Sequence, residues 1–152
     1  VFPAAYPLGN ILSVGGLKAG AAELLDESNF GPDTVKIAAN GDALVGPYLS
    51  HSYAALTGTS AAAALVSGVA ALIYSQRPDL SPKTVVDTIM ATSSPSDSLA
   101  GLIVSGGAIN AYASLEAALS VETESAGETS GSPASPETPS LPSSGGCSLI
   151  PE

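Results

Sequence analysis

The chain has 152 residues and a formal net charge of −10, with 14 acids against 4 bases, one Cys, one His and no Trp. That balance disfavours nucleic acid or an anionic membrane surface as a partner, because neither gains from attraction or counterion release here. One Cys excludes an intramolecular disulfide framework and a Cys-rich zinc site, and one His excludes a multi-histidine metal site.

Val1-Phe2-Pro3-Ala4-Ala5-Tyr6-Pro7 carries no initiator Met, basic n-region or apolar h-region, so it does not read as a signal peptide. A processed chain, or one that begins partway through a longer protein, is expected. Asn10 to Gly16 is a short apolar run closed by a Gly pair, consistent with a buried strand. Glu23 to Asp33 is polar and holds the turn signal Asn29-Phe30-Gly31-Pro32. Val35 to Ala39 reads as a second strand ended by Asn40-Gly41, and a short strand is expected near Leu44. Ser52 to Leu56 reads as a third strand leading into Thr57-Gly58-Thr59-Ser60.

Ala61 to Tyr74 contains no charge, and Ala and Leu favour helix there. A helix apolar on all faces is either buried on all sides or in lipid. The strongly apolar part is only 14 residues, shorter than the roughly 20 needed to span a bilayer. No Lys or Arg lies close before it, so a core helix is favoured over a membrane span. Beyond Arg77-Pro78-Asp79-Leu80, Ser81-Pro82 supplies an N-cap and a Pro at the first helical position. Val85, Val86, Ile89 and Met90 form the apolar face of the helix that follows, ending about Thr92. Gly101 to Gly107 reads as a loop or short strand. Asn110 can cap a last helix with Leu115, Ala118 and Leu119 facing inward. Strands alternating with helices indicate an α/β fold.

The end of the chain differs in kind. Residues 121–152 hold 5 acids and no base, and thus half the net charge, whereas residues 1–120 hold 9 acids and all 4 bases. Of the 26 residues from Val121 to Gly146, 22 are Ser, Pro, Thr, Glu or Gly. Too little apolar surface is present to offset the entropy of ordering such a stretch. Pro133, Pro136, Pro139 and Pro142 keep a three-residue rhythm compatible with polyproline II. Residues 121–152 therefore read as a disordered Ser/Pro/Glu/Gly-rich spacer that ends in a Gly-Gly-Cys segment. Cys147 is sixth from the end, outside the position of a prenylation box.

Ser60 is the candidate for chemistry. It follows Gly58-Thr59 at the junction of a strand and the apolar helix. Gly58 permits a tight turn and close approach of a substrate backbone. The free N–H of Ser60 at the helix N-terminus is suited to an oxyanion, and the helix dipole favours negative charge there. An isolated Gly-Thr-Ser, however, is more often simply a helix cap. His51, the only His, lies nine residues away in a loop and reads as a surface residue, as do Asp33 and Asp42.

The order of segments decides between these readings. Phe2 to Tyr6 with Asn10-Ile11-Leu12-Ser13-Val14-Gly15 resembles "YPA-x-Y … N-I-x-x-V-G" of the subtilisin-like serine peptidases (subtilases, peptidase family S8). Ser28-Asn29-Phe30-Gly31 resembles their "F-S-N-x-G" turn, and Val35 to Gly41 is similar to "V-D-I-A-A-P-G". Ala55 to Leu72 resembles "x-L-S-G-T-S-M-A-x-P-H-V-A-G-x-A-A-L", the nucleophile motif. Pro78-Asp79-Leu80-Ser81-Pro82 and Gly106-Gly107-Ala108-Ile109-Asn110-Ala111 continue the match. It covers residues 1–119 in one unbroken order.

The resemblance implies that residues 1–120 are the C-terminal part of a peptidase domain with three layers and a mostly parallel sheet. It implies Ser60 as the nucleophile and its N–H as one oxyanion donor. In subtilisin the triad runs Asp, His, Ser along the chain. The matching Asp and His, and the Asn that gives the second oxyanion donor, are accordingly expected before Val1. The chain alone is then expected to be inactive. Protein or peptide substrates and a secreted or cell-surface setting are implied. The Pro- and Ser-rich stretch ending in Gly-Gly-Cys resembles bacterial surface-sorting tails, which would anchor the protein through a further C-terminal extension; the plainer reading of Cys147 is a free thiol on a flexible tail. No cofactor is evident. Some relatives hold a structural cation such as calcium through backbone carbonyls near Ala4 and Tyr6, which leaves no sequence signature. Three residues depart from the pattern: Ala64 for Pro, Leu65 for a non-catalytic His, and Asn40 for Pro. The alternatives are a non-catalytic subtilase-like binding module, weakly favoured by Ala64 and Leu65, and a single-span membrane protein.

Overall fold

A computed structural model of the protein describes residues 3–122. The spacer expected over 121–152, beyond Glu122, and Cys147 lie outside the described residues. Strands β1 (Val14–Leu17) and β2 (Ile37–Asn40) pair in parallel, with Gly15 opposite Ala38 and Gly16 opposite Ala39. The hairpin β3 (Leu44–Tyr48) and β4 (Ser52–Leu56) follows, then helix α1 (Thr59–Gln76) and helix α2 (Pro82–Ala91). Two-residue strands β5 (Ser94–Pro95) and β6 (Gly107–Ala108) precede helix α3 (Ala111–Ser120). The sheet order is β1-β2-β6-β5, parallel except where β5 meets β6. It is an α/β fold with a mostly parallel sheet.

The core lies between this sheet and the helices. Ile37 and Ala39 of β2 face Ala62, Val66, Val69 and Ile73 of α1, with Val85 and Ile89 of α2 and Ala118 of α3 completing the cluster. The spacing of the α1 residues places them on one face of the helix. Leu17, Val35, Ala38, Leu99 and Ile103 fill the opposite side of the sheet. Alternate residues of β2 thus reach opposite faces, as a strand covered on both sides requires.

The helix boundaries follow local chemistry. The side chain of Ser81 accepts the Thr84 N–H at 3.1 Å, and Pro82 takes the first helical position. Asn110 accepts the Ala113 N–H at 3.0 Å. Helix α1 stops at Arg77, whose following Pro78 disfavours helical backbone. The Arg77 guanidinium then donates to the Ala118 and Val121 carbonyls at 3.0 and 2.8 Å, tying the ends of α1 and α3 together. Between α2 and α3, the enclosed Ser114 hydroxyl donates to the Asn110 carbonyl at 2.7 Å and lies 2.8 Å from that of Thr92.

Two expectations require correction. Helix α1 is enclosed on one face only: Leu65 is 42% exposed, Leu72 53% exposed, and Gly68 faces open space. Uniformly apolar composition could not reveal which face is covered. Leu119 is exposed rather than inward, because the buried stripe of α3 runs through Ser114 and Ala118, four residues apart, and Leu119 is turned off it. The strand expected at Ser52–Leu56 is present with those bounds, and it pairs in a two-stranded hairpin separate from the main sheet, with Val45, Leu49 and Tyr53 all strongly exposed.

Candidate active site

The segment 57–60 is held at the carboxyl ends of β1 and β2, where α/β sheets present their crevices. The Gly41 N–H donates to the Leu17 carbonyl at 2.9 Å, and the Gly58 N–H donates to the Gly41 carbonyl at 2.7 Å. A Cβ on Gly41 would meet the Gly58 oxygen at 2.9 Å and Gly16 Cα at 3.0 Å, so only glycine allows this close approach. Gly58 itself sits at φ 144°, a backbone region that other residues rarely adopt.

Asp42 has a role that its place in a loop did not suggest. Its Oδ1 accepts the Thr57 hydroxyl at 3.1 Å, and its Oδ2 accepts the Ala19 N–H at 3.3 Å. The Thr57 oxygen in turn accepts the Ala43 N–H at 3.1 Å, and Asn40 accepts the Asp42 N–H at 3.1 Å. Thr57, three residues before Ser60, is therefore fixed from both sides. The only sequence signal was an Asp after Asn-Gly, which says nothing about a partner 15 residues on. Asp33 is exposed, as expected of a loop acid.

Ser60 is the second residue of α1 and is exposed. The Gly58 carbonyl receives the N–H groups of Ala61 and Ala62 at 3.1 and 3.4 Å. The N–H groups of Thr59 and Ser60 and the Ser60 hydroxyl have no partner among the described residues. Orphan donors at a helix N-terminus, with the helix dipole behind them, suit a developing oxyanion. A cavity of about 320 Å³ opens here, lined by Leu25, Glu27, Ser28, Thr57, Gly58, Thr59 and Ser60. A second, of about 230 Å³, shares Thr59 and is bounded by Ala4, Ala5, Asn29 and Phe30 among others.

The structure does not bring His51 to Ser60. His51 is exposed at the hairpin tip, where Ser50 and His51 take φ values of 57° and 58°. Five residues of extended chain, roughly 16 Å, separate it from Leu56 at the other end of β4. Lys18, just after β1, is bound to Asp26 at 2.9 Å and faces Glu23 at 3.8 Å. The hydrogen bond that Lys18 donates to Asp26 is the first cause that holds its ammonium pKa above the ordinary value. Among the described residues no three His, Cys, Asp or Glu side chains form a metal-holding group.

The sequence profile of the subtilase family, peptidase S8, matches residues 1–133. Subtilisin-like protease 3 of Plasmodium falciparum (isolate 3D7) is 31% identical over 117 residues, covering 74% of this chain and 15% of that protein. Among solved structures, that of the subtilase cytotoxin SubAB assembly superposes with a TM-score of 0.71 at 26% identity, covering 79% of this chain and 42% of that one. The prenylagaramide maturation protease PagA superposes with a TM-score of 0.66 at 28% identity, covering 77% and 44%. This chain therefore spans less than half the length of each of these relatives. The match of the family profile over most of the sequence, with the same fold in solved subtilases, shows that the chain belongs to the subtilase family.

Proposed function

We propose that the whole protein is a serine endopeptidase and that Ser60 is its nucleophile. Ser60 Oγ adds to the scissile carbonyl carbon while its proton passes to a base. The Ser60 N–H and the dipole of α1 stabilise the oxyanion that forms. The C–N bond then breaks, the amine leaves with that proton, and water hydrolyses the acyl-enzyme to restore the hydroxyl. The observation that carries this reading is the exposed Ser60 with orphan N–H groups at the start of α1, beside a cavity, in a chain of this family.

The base and its orienting acid belong, on this reading, to parts of the polypeptide outside these 152 residues. His51 at a hairpin tip is not a substitute. The isolated chain is thus inactive toward peptides. Residues 1–120 form the C-terminal part of the peptidase domain and 121–152 a spacer, in a protein that is secreted or held at the cell surface and acts on proteins or peptides. The rest of the domain covers the apolar outer face of α1. The expected result is that the whole protein cleaves peptide bonds and that Ser60→Ala lowers kcat by at least about a thousandfold. Equal turnover by wild type and variant would overturn the assignment.

Two observations favour other readings. Ala64 and Leu65 replace the Pro and His of the nucleophile motif, which favours a non-catalytic binding module. An intact triad in the whole protein with no turnover would support it. Helix α1 has the length and composition to cross a membrane. Its inner face is nevertheless seated on β2, with Ala62 and Ile73 fully enclosed, and release of the protein by carbonate extraction would end the single-span reading.

A further inference from the structure

We infer that Glu27 is a specificity-determining residue that selects a cationic substrate side chain next to the scissile bond. The inference rests on the assignment of Ser60 above. Glu27 and Ser60 line the same cavity of about 320 Å³.

The loop that carries Glu27 is fixed to β1 at several points. The Leu25 N–H donates to the Gly16 carbonyl at 2.8 Å, and the Gly16 N–H donates to the Ser28 hydroxyl oxygen at 3.0 Å. The Ser28 N–H closes a turn on the Leu25 carbonyl at 2.9 Å. Leu25 and Ser28 are buried, whereas Glu27, inside the turn, is exposed. A Cβ on Gly16 would strike Leu25 Cδ1 at 2.9 Å, so the glycine of β1 makes room for this loop to lie beside Thr59. The carboxylate is therefore carried on a positioned turn, as a specificity group needs to be.

Glu27 makes no ion pair among the described residues, and feels Lys18 only as a weaker neighbour behind Asp26 and Glu23. Lys18 is paired with Asp26 and Glu23, Lys36 reaches the Leu8 and Ile11 carbonyls, Arg77 is paired with Asp79, and Lys83 with Asp87. These are all four bases of the chain. Glu27 is thus an anion at the cavity beside the nucleophile that no cation contacts directly, its nearest base Lys18 being held by Asp26 and Glu23. A Lys or Arg side chain seated there gains an opposite charge, and an acidic one meets repulsion.

The test uses the whole protein and internally quenched peptides that differ only in Arg, Ala or Glu beside the cleaved bond. Wild type is expected to favour Arg over Glu in kcat/KM by on the order of tenfold at low salt, with the ratio shrinking at high salt. Glu27→Gln should bring the ratio near unity and Glu27→Arg should invert it, while both variants melt with the wild type. A fluorophosphonate probe separates the two levels of the argument. If Ser60 is labelled and peptides are cleaved with the same Arg:Glu ratio in all three proteins, the role of Glu27 is overturned and that of Ser60 stands. If Ser60 is not labelled and nothing is cleaved, both fall.

Discussion

The two faces of α1 are nearly equal in apolar character and opposite in surroundings. The inner face, with Ala62, Val66, Val69 and Ile73, is enclosed by β2, α2 and α3. The outer face, with Leu65, Gly68 and Leu72, meets no covering element among the described residues. A helix in water normally pairs one apolar stripe with a polar one. An apolar face left open in this way is a surface suited to contact. The fold of a chain can thus be well formed around one side of a helix while the other side awaits more protein.

The sharpest way to break this contrast is to shorten each face in turn. Ile73→Ala should destabilise the protein by about 2–5 kcal/mol, because its fully enclosed side chain leaves a cavity. Chemical denaturation measures this directly. On the outer face, Leu72→Ala in the 152-residue chain should cost well under about 1 kcal/mol. In the whole protein the same change should cost about 2 kcal/mol or more if the rest of the domain covers it. Equal small costs in both would contradict the proposed covering.

Smaller effects concern the loops that hold the site. Asp42→Ala removes the acceptor of Thr57 and Ala19 and should cost about 1 kcal/mol, with a larger loss in kcat than in KM because the entry to Ser60 loosens. His51→Gly should leave peptidase activity unchanged and stabilise by a few tenths to about 1 kcal/mol, since glycine accepts φ 58° without strain. Loss of activity in that variant would reopen the question of the base. The smallest effect is at Asp79. Its hydrogen bond from Arg77 holds the carboxyl below its ordinary pKa, so the pair contributes stability above the unfolded pKa near 4. That contribution is lost as pH falls through the folded value, and the difference in melting temperature between wild type and Asp79→Asn should close on acidification.

Much of this architecture was legible because local chemistry is strong where it occurs. Ser81-Pro82 and Asn110 cap α2 and α3 as their side chains foretell, and Val85 and Ile89 are buried as their spacing requires. The segment order around Gly58-Thr59-Ser60 is enough to point to the subtilase family. What was not legible depends on contacts distant in sequence. A run of Ala, Leu and Val has no polar stripe to say which side of α1 is covered. Nothing local says that Asp42 binds Thr57, or that the polar turn at Glu27 folds back beside Ser60. The separation of the β3–β4 hairpin from the main sheet is likewise a matter of partners, since its residues would suit a central strand equally well.

The central claim is that Ser60 is an activated nucleophile in the whole protein. Mass spectrometry of that protein after reaction with a fluorophosphonate probe tests it most directly. A covalent adduct on Ser60, absent after heat denaturation, is the expected result. An unmodified Ser60 in a folded protein that contains the triad Asp and His would contradict it.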